Sequence, residues 1–412
     1  PDLALADYTE AIRLNPDETA ARCCRANIWA SKGEWKKAVA DLDEVIRRRP
    51  DLTTVNDSVR PDGLARYTTV DGPAPAGEVY RLRGQFRMRA GDVTGGASDF
   101  TEAIRIDPKN AAAFAERAGA FMVMGHPDHA LSDLDRALEL VPNAHVHTDR
   151  ALVRLLKGKL DAALADCDTA VRLDPTCARA FQQRGALRLM KGDTDGALKD
   201  LNETVRLEPK NPTFLSDRSV VWMAKIDPDR AIADCDAALR IDPTAVNALA
   251  NRGCAWLGKK EWGRTIADCE AALKLVPDHI GALANRGRAR LFTGDWPGVL
   301  ADLDAVLRSD PNNATGLTSR SLLRSSCPDP KYRDVKKARD DAKRLCELTQ
   351  WKQGQALDAL AAACAEEGQF DEAVKFQKRA LEDATFVAGS GSDARERLGL
   401  YEQKKPHRLP GK

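Results

Sequence analysis

Residues 176–209 read TCARAFQQRGALRLMKGDTDGALKDLNETVRLEP, and residues 244–277 read TAVNALANRGCAWLGKKEWGRTIADCEAALKLVP. Aligned on their closing prolines, the two stretches pair Arg184 with Arg252, Gly185 with Gly253, Asp200 with Asp268 and Leu207 with Leu275. Prolines close comparable stretches at 16, 50, 108, 142, 175, 209, 243, 277 and 311. The steps are 34, 58, 34, 33, 34, 34, 34 and 34 residues, the 58 being one repeat plus 24 further residues. Self-similarity at about 34 residues marks an array of helical hairpins, each too small to bury its apolar face alone and therefore stacked on its neighbours. The second half of a unit places apolar residues on one helical face, as Ala38, Leu42, Val45 and Ile46 do. The proline then ends the helix, because it has no N–H for the ladder. The expected fold is an all-α solenoid of about ten hairpins.

Working outward, residues 1–16 supply only the second helix of a hairpin, with Asp7, Ala11 and Leu14 in the positions that later units repeat. They read as a half-repeat at a fragment boundary or as an N-terminal capping helix. The first whole hairpin is 17–50. Residues 51–76, rich in Pro, Gly, Thr and Asp, have no helical period and read as an inserted loop, either inert or in contact with a ligand. Seven regular hairpins fill 77–311. The unit at 312–350 is stretched by an insertion at 328–332, and the last hairpin is 351–385. Residues 386–412 are read as a linker, VAGSGSD, then a capping helix from about 393 to 404 with Leu398, Leu400 and Tyr401 on one side, then a basic tail. Gly91, Gly125, Gly158, Gly192 and Gly294 stand where a residue with positive φ ends the first helix of a hairpin. Ile226 and Lys260 replace that glycine in two units, which predicts turns of a different shape there.

The net charge of +1, with 30% charged residues, argues against nucleic acid or an anionic membrane as the main partner. No apolar run approaches the ~18 residues of a spanning helix. The chain begins with Pro1 rather than Met, so a targeting segment or an upstream domain could precede it. The ten cysteines include no CxxC pair, and Cys167, Cys235 and Cys269 take the place that Leu42, Leu134, Leu201 and Leu303 fill in other units. They read as small core hydrophobes in a reducing, cytoplasmic setting. Phosphate-loop, dinucleotide, zinc-protease and nucleophile-elbow motifs are all missing. In DTDGALKDLNE the glycine directly follows the second Asp, so calcium-loop spacing fails. His126/His129 and His145/His147 lie at opposite ends of one helix, roughly 20 Å apart at 1.5 Å per residue, too far to share a metal. All six histidines are expected at the surface. The expectation is a chain with no enzymatic activity, cofactor or metal.

Small residues recur in the second helices (Ala38, Ala130, Ala163, Ala197, Ala231), opposite a large residue in the first helices (Tyr80, Phe114, Phe181, Leu215, Leu249, Leu283, Leu317). With Phe181, Gly185, Ala197 and Pro209 as one example, this large–small–small–Pro pattern resembles the tetratricopeptide repeat. The resemblance covers nearly the whole chain outside 51–76 and the tail. It implies a right-handed superhelix whose concave groove binds a peptide or partner protein. The stretch 328–405 also resembles a module that closes multidomain bacterial repeat proteins, some of which carry a serine/threonine kinase upstream. The alternative to a plain interaction scaffold is therefore the recognition segment of a larger signalling enzyme.

One feature departs from the family. Arginine recurs where leucine is more common, and an aspartate follows each one sixteen residues later: Arg117 with Asp133, Arg150 with Asp166, Arg184 with Asp200, Arg218 with Asp234, and Arg252 with Asp268. Arg320 and Asp341 fit once five inserted residues are allowed for. The preferred reading is a structural ladder of ion pairs. The alternative is a row of arginines aimed at an acidic ligand. Carried over position by position, the groove implied by the resemblance is apolar in its middle. Met122, Leu152, Leu155 and Leu156 come from two early hairpins. Leu189, Met190, Val220 and Met223 follow, then Leu257, Leu291 and Phe292. Two readings stay open: a docking stripe for an amphipathic helix or extended peptide, or a seam buried between neighbouring helices. Residues 51–76 or the tail could also fill the groove. The carboxylate-clamp variety of the family needs a Lys and Asn pair that no unit here provides.

Overall fold

The computed structural model describes residues 2–48 and 76–409, and among these all regular structure is helical. The inserted loop expected at 51–76 lies outside the described residues apart from Ala76, which begins a helix. The chain divides into two compact units, Pro1–Leu187 and Arg188–Lys412. In the first, α1 (Asp2–Leu14) precedes four hairpins. These are α2 (Thr19–Ser31) with α3 (Trp35–Arg48), α4 (Ala76–Arg89) with α5 (Val93–Ile106), α6 (Ala111–Val123) with α7 (Pro127–Leu140), and α8 (Ala144–Leu156) with α9 (Leu160–Leu173). The division falls inside α10 (Ala178–Met190). The second unit continues with α11 (Thr194–Leu207), then α12 (Pro212–Ala224) with α13 (Pro228–Ile241), α14 (Val246–Gly258) with α15 (Trp262–Leu275), and α16 (Ile280–Thr293) with α17 (Trp296–Ser309). Next come α18 (Ala314–Ser326) with α19 (Val335–Leu348), α20 (Gly354–Glu366) with α21 (Phe370–Ala380), and a final helix, α22 (Ala384–Glu402). The insertion at 328–332 forms a 3-10 turn, Pro330–Tyr332.

Each hairpin closes over small residues. A Cβ on Gly84 of α4 would lie 2.7 Å from the Phe100 ring of α5, and one on Gly287 of α16 would lie 3.0 Å from Leu303 of α17. The glycines therefore set how closely the two helices approach. Cys167, Cys235 and Cys269 are fully buried and fill leucine positions in the core. Burial raises the thiols of Cys235 to about 11 and Cys269 to about 12, which keeps both protonated and unreactive.

Two expectations are corrected. The turns at Ile226 and Lys260 do not differ from the glycine turns. Both residues adopt φ near +60°, beside +82° at Gly192. The Asp227 N–H donates to the Trp222 carbonyl at 2.9 Å, just as Asp193 N–H donates to Arg188. The hairpin geometry imposes the left-handed residue whatever its side chain. A β-branched residue there costs about 1–2 kcal/mol, while glycine forfeits roughly 0.5–1 kcal/mol through the unfolded chain. Ile226 is 54% exposed and has little packing to lose. Ile226→Gly should therefore stabilise the protein by about 0.5–1 kcal/mol, read as a higher urea midpoint; an unchanged or lower midpoint would show that the turn carries no strain.

The second correction concerns VAGSGSD, which is not a linker but part of α22. Asp383 caps the helix, accepting from Thr385 and Phe386 N–H at 2.9 and 3.3 Å. Gly391, Ala394 and Tyr401 face inward, and α22 packs on α20 and α21. Tertiary burial overrides the poor helix propensity of Gly and Ser.

Candidate interaction surface

In the N-terminal unit, α8 turns Ala151 and Val153 into the core and leaves Leu152 at 43% and Leu156 at 65% exposure. These leucines are four residues apart and share one helix face. Val123, at the end of α6, is also exposed. Met122 and Leu155 are half-buried: Met122 packs beside Ala118 and Leu134, Leu155 beside Ala163 and Cys167. In the C-terminal unit, Met190 and Val220 are exposed, Leu189 packs on Ala197 and Leu201, and Met223 packs on Ala231 and Ala255.

Two groove candidates are core residues instead. Leu257 is 7% exposed and Leu291 1%. The first helices α12, α14, α16 and α18 pack directly on one another, which closes the seam around these positions. Leu291 joins Val299, Leu303, Leu323 and Cys327. Phe292 stacks on Trp262 with ring centroids 4.4 Å apart.

The chain covers part of this surface itself. Arg397 of α22 holds Asp358 of α20 at 2.8 and 2.9 Å, and Asp393 meets Lys260 at 3.3 Å. Lys404 reverses the chain with φ +57°, and the following segment runs back to α18. There the Leu409 N–H donates to the Ser326 carbonyl at 2.8 Å, and the Leu409 side chain is buried with Leu291 and Leu323. His407 is enclosed rather than at the surface. Burial first, then the Arg397 charge, lowers it to about 4. His147 is also largely covered, with Nδ1 3.1 Å from Asp166.

The arginines lie across the hairpins. Arg117 donates through Nε and Nη2 to the two oxygens of Asp133 at 2.8 and 2.7 Å. Arg218 meets Asp234 at 2.8 and 2.6 Å, and Arg252 meets Asp268 at the same two distances. Arg150 reaches both oxygens of Asp166, the shortest contact being 2.6 Å. Arg320 holds Asp341 across the insertion at 2.9 and 2.8 Å. Arg184 and Asp200 fall on opposite sides of the division between the two units.

Sequence reasoning missed a second contact. Nη1 of most of these arginines reaches back to the preceding second helix, two residues past that helix's aspartate: Arg83 to Asp43 at 2.7 Å, Arg117 to Thr101 at 3.2 Å, Arg150 to Asp135 at 2.7 Å, Arg218 to Asn202 at 3.0 Å and Arg320 to Asp304 at 2.8 Å. The signal was visible as DLD at 41–43, DFT at 99–101, DCD at 166–168 and DLN at 200–202. The guanidiniums are thus spent within the array. Hydrogen bonds to the aspartates, against the cost of burial, raise Arg218 and Arg286 above the ordinary arginine value. Among the described residues no cluster of His, Cys, Asp and Glu is arranged to hold a metal, and no helix is long and apolar enough to cross a membrane.

Helical hairpins stacked in this way define the class: a helical-repeat array. The tetratricopeptide-repeat family model matches residues 1–52, 115–176 and 184–246. A DnaJ homolog subfamily C member 7 homolog from Schizosaccharomyces pombe is 27% identical over 135 residues, 32% of this chain and 26% of that protein. This chain thus matches about a quarter of that relative's length. A tetratricopeptide repeat protein from Parabacteroides merdae is 18% identical, covering 68% of this chain and 97% of its own, with a TM-score of 0.49. A tetratricopeptide repeat protein of Thermus thermophilus is 20% identical, covering 44% of this chain and 99% of its own, with a TM-score of 0.39. Over those three stretches the chain is similar to the tetratricopeptide repeat.

Proposed function

We propose that this chain is a non-catalytic protein–protein interaction module, and that its N-terminal unit takes an amphipathic helix or extended peptide in the groove beside α8. Tetratricopeptide repeats generally mediate protein–protein interaction, which supports the coarser part of this reading. The finer part rests on one observation: Leu152 and Leu156 face solvent one turn apart although the core positions of α8 are already filled by Ala151 and Val153. Packing of the hairpin does not explain them, and paired anchors at i and i+4 match the spacing by which a helix or strand partner is gripped. The arginine row is not the binding element, because its charges are paired within the array.

The test is capture of partners from cell extract on immobilised wild-type chain and on Leu152→Asp/Leu156→Asp, after both have been melted to show equal stability. A partner held by the wild type and lost by the variant supports this surface. Retention by both removes the N-terminal stripe from consideration.

A further inference from the structure

The segment after α22 has the geometry of a bound ligand. Its described residues, 403–409, form no helix or strand, and Arg408 and Leu409 hold it to the hairpins. Leu409 enters a pocket whose walls come from three elements: Leu291 of α16, Val299 and Leu303 of α17, and Leu323 and Cys327 at the end of α18. Its N–H caps the carbonyl of Ser326, the last residue of α18, whose final turn has no intrahelical donor left. One residue earlier, Arg408 Nη1 lies 2.5 Å from Glu366 Oε2, at the last residue of α20. Two helix C-termini and one carboxylate thus favour a cation beside the leucine pocket. Glu366 keeps a second partner, Arg333, at 3.2 Å, so it does not need Arg408 to remain paired. The buried leucine, the backbone hydrogen bond and the Arg408–Glu366 ion pair are set against the ordering of several residues.

We propose that this pocket, with Glu366 beside it, is a second peptide site that accepts an extended partner segment carrying arginine followed by leucine, and that Lys405–Leu409 is its built-in competitor. The inference rests on the reading of the chain as a protein-interaction module but uses a surface separate from Leu152 and Leu156. A tethered competitor acts at an effective concentration in the millimolar range. It admits only partners that bind more tightly or arrive in excess. The docked His407 adds a pH dependence. It faces Arg397 and Asp393 of α22, Asp358 of α20 and its neighbour Arg408, and its imidazole is held at about 4. A released histidine titrates near 6.5. The docked state therefore binds fewer protons, and docking weakens as pH falls from about 6.5 toward 4.

The probe is the fluorescently labelled peptide KKPHRLPGK, the sequence of residues 404–412. It is titrated into the wild-type chain, into a chain lacking 404–412, and into full-length Leu409→Asp in case the deletion disturbs folding. Saturable binding at least about tenfold tighter to the two variants than to wild type is expected, given the tethered competitor. Replacing the peptide's Arg with Glu, or its Leu with Asp, should abolish binding. A peptide carrying Gln for His should bind independently of pH between about 5.5 and 7, where a carboxylate stays ionised. Equal binding by wild type and both variants, or by the altered peptides, overturns the proposal. So does a wild-type dimer that becomes monomeric in Leu409→Asp, because the segment would then belong to a second copy. Leu152→Asp/Leu156→Asp should take up the probe as wild type does, so that failure at one site leaves the other reading standing.

Discussion

Leu291→Asp should abolish cooperative folding of the C-terminal unit, at a cost of about 4 kcal/mol or more, whereas Leu156→Asp should change stability by less than about 0.5 kcal/mol. Both residues belong to the apolar stripe read from the first helices, and both substitutions are chemically identical. What differs is the surroundings. Leu291 is 1% exposed and touches side chains of α17 and α18 as well as Leu409. A carboxylate there loses the apolar contacts and is stranded without a donor. Leu156 is 65% exposed, and a carboxylate at that position stays hydrated. Urea unfolding followed by circular dichroism separates the two outcomes. Equal destabilisation by both substitutions would mean that the stripe is core throughout, and the N-terminal binding surface would have to be given up.

Arg252→Ala should cost about 3 kcal/mol, the low end of the range for breaking a buried ion pair. Asp268 keeps only 11% exposure of its side chain, and the guanidinium supplies both of its short contacts. Loss of the arginine strands a charge, which is worse than never having had one. Asp236, the arginine's second partner at 2.7 Å, is 42% exposed and loses little to solvent. Arg252→Leu/Asp268→Leu should therefore recover most of the loss, because an apolar pair of similar volume replaces the ion pair without desolvating charge. The measurement is a double-mutant cycle in urea, with hydrogen exchange on α14 and α15 to place the damage. A single variant as stable as wild type would show that the pair is solvated and contributes nothing.

Much of this architecture was legible because a repeat array writes its contacts within a fixed distance along the chain. The closing prolines mark the hairpins, and the sixteen-residue offset marks the arginine–aspartate pairs, since both partners lie in one hairpin. Contacts that depend on how closely neighbouring hairpins approach were not legible. Leu155 and Leu291 occupy the same place in their units, five residues past Arg150 and Arg286, yet one is half-buried and the other is sealed. The difference comes from the direct packing of α16 on α18, which no residue within either hairpin announces. The glycines and serines of 389–392 signalled a linker because composition reports local preference. The cap at Asp383 and the burial of Gly391 and Ala394 are tertiary facts. The backward reach of most of the arginines falls between these cases, since the acceptor sits at a fixed offset but in the preceding hairpin.

That backward reach bears on how such a chain can change length over evolutionary time. The tight, twofold contact of each arginine stays inside its own hairpin, and only the third N–H bond crosses to the predecessor. A duplicated hairpin spliced in at any junction would arrive with both halves of its salt bridge. On its new predecessor it needs only an oxygen two residues past the aspartate. Threonine, aspartate and asparagine all serve in that role here, at Thr101, Asp135 and Asn202. Because these acceptors lie toward the exposed side, one left unused after a deletion would simply return to water. Gain or loss of a hairpin would leave no charge buried alone, so the number of repeats is free to drift under selection for reach rather than for stability.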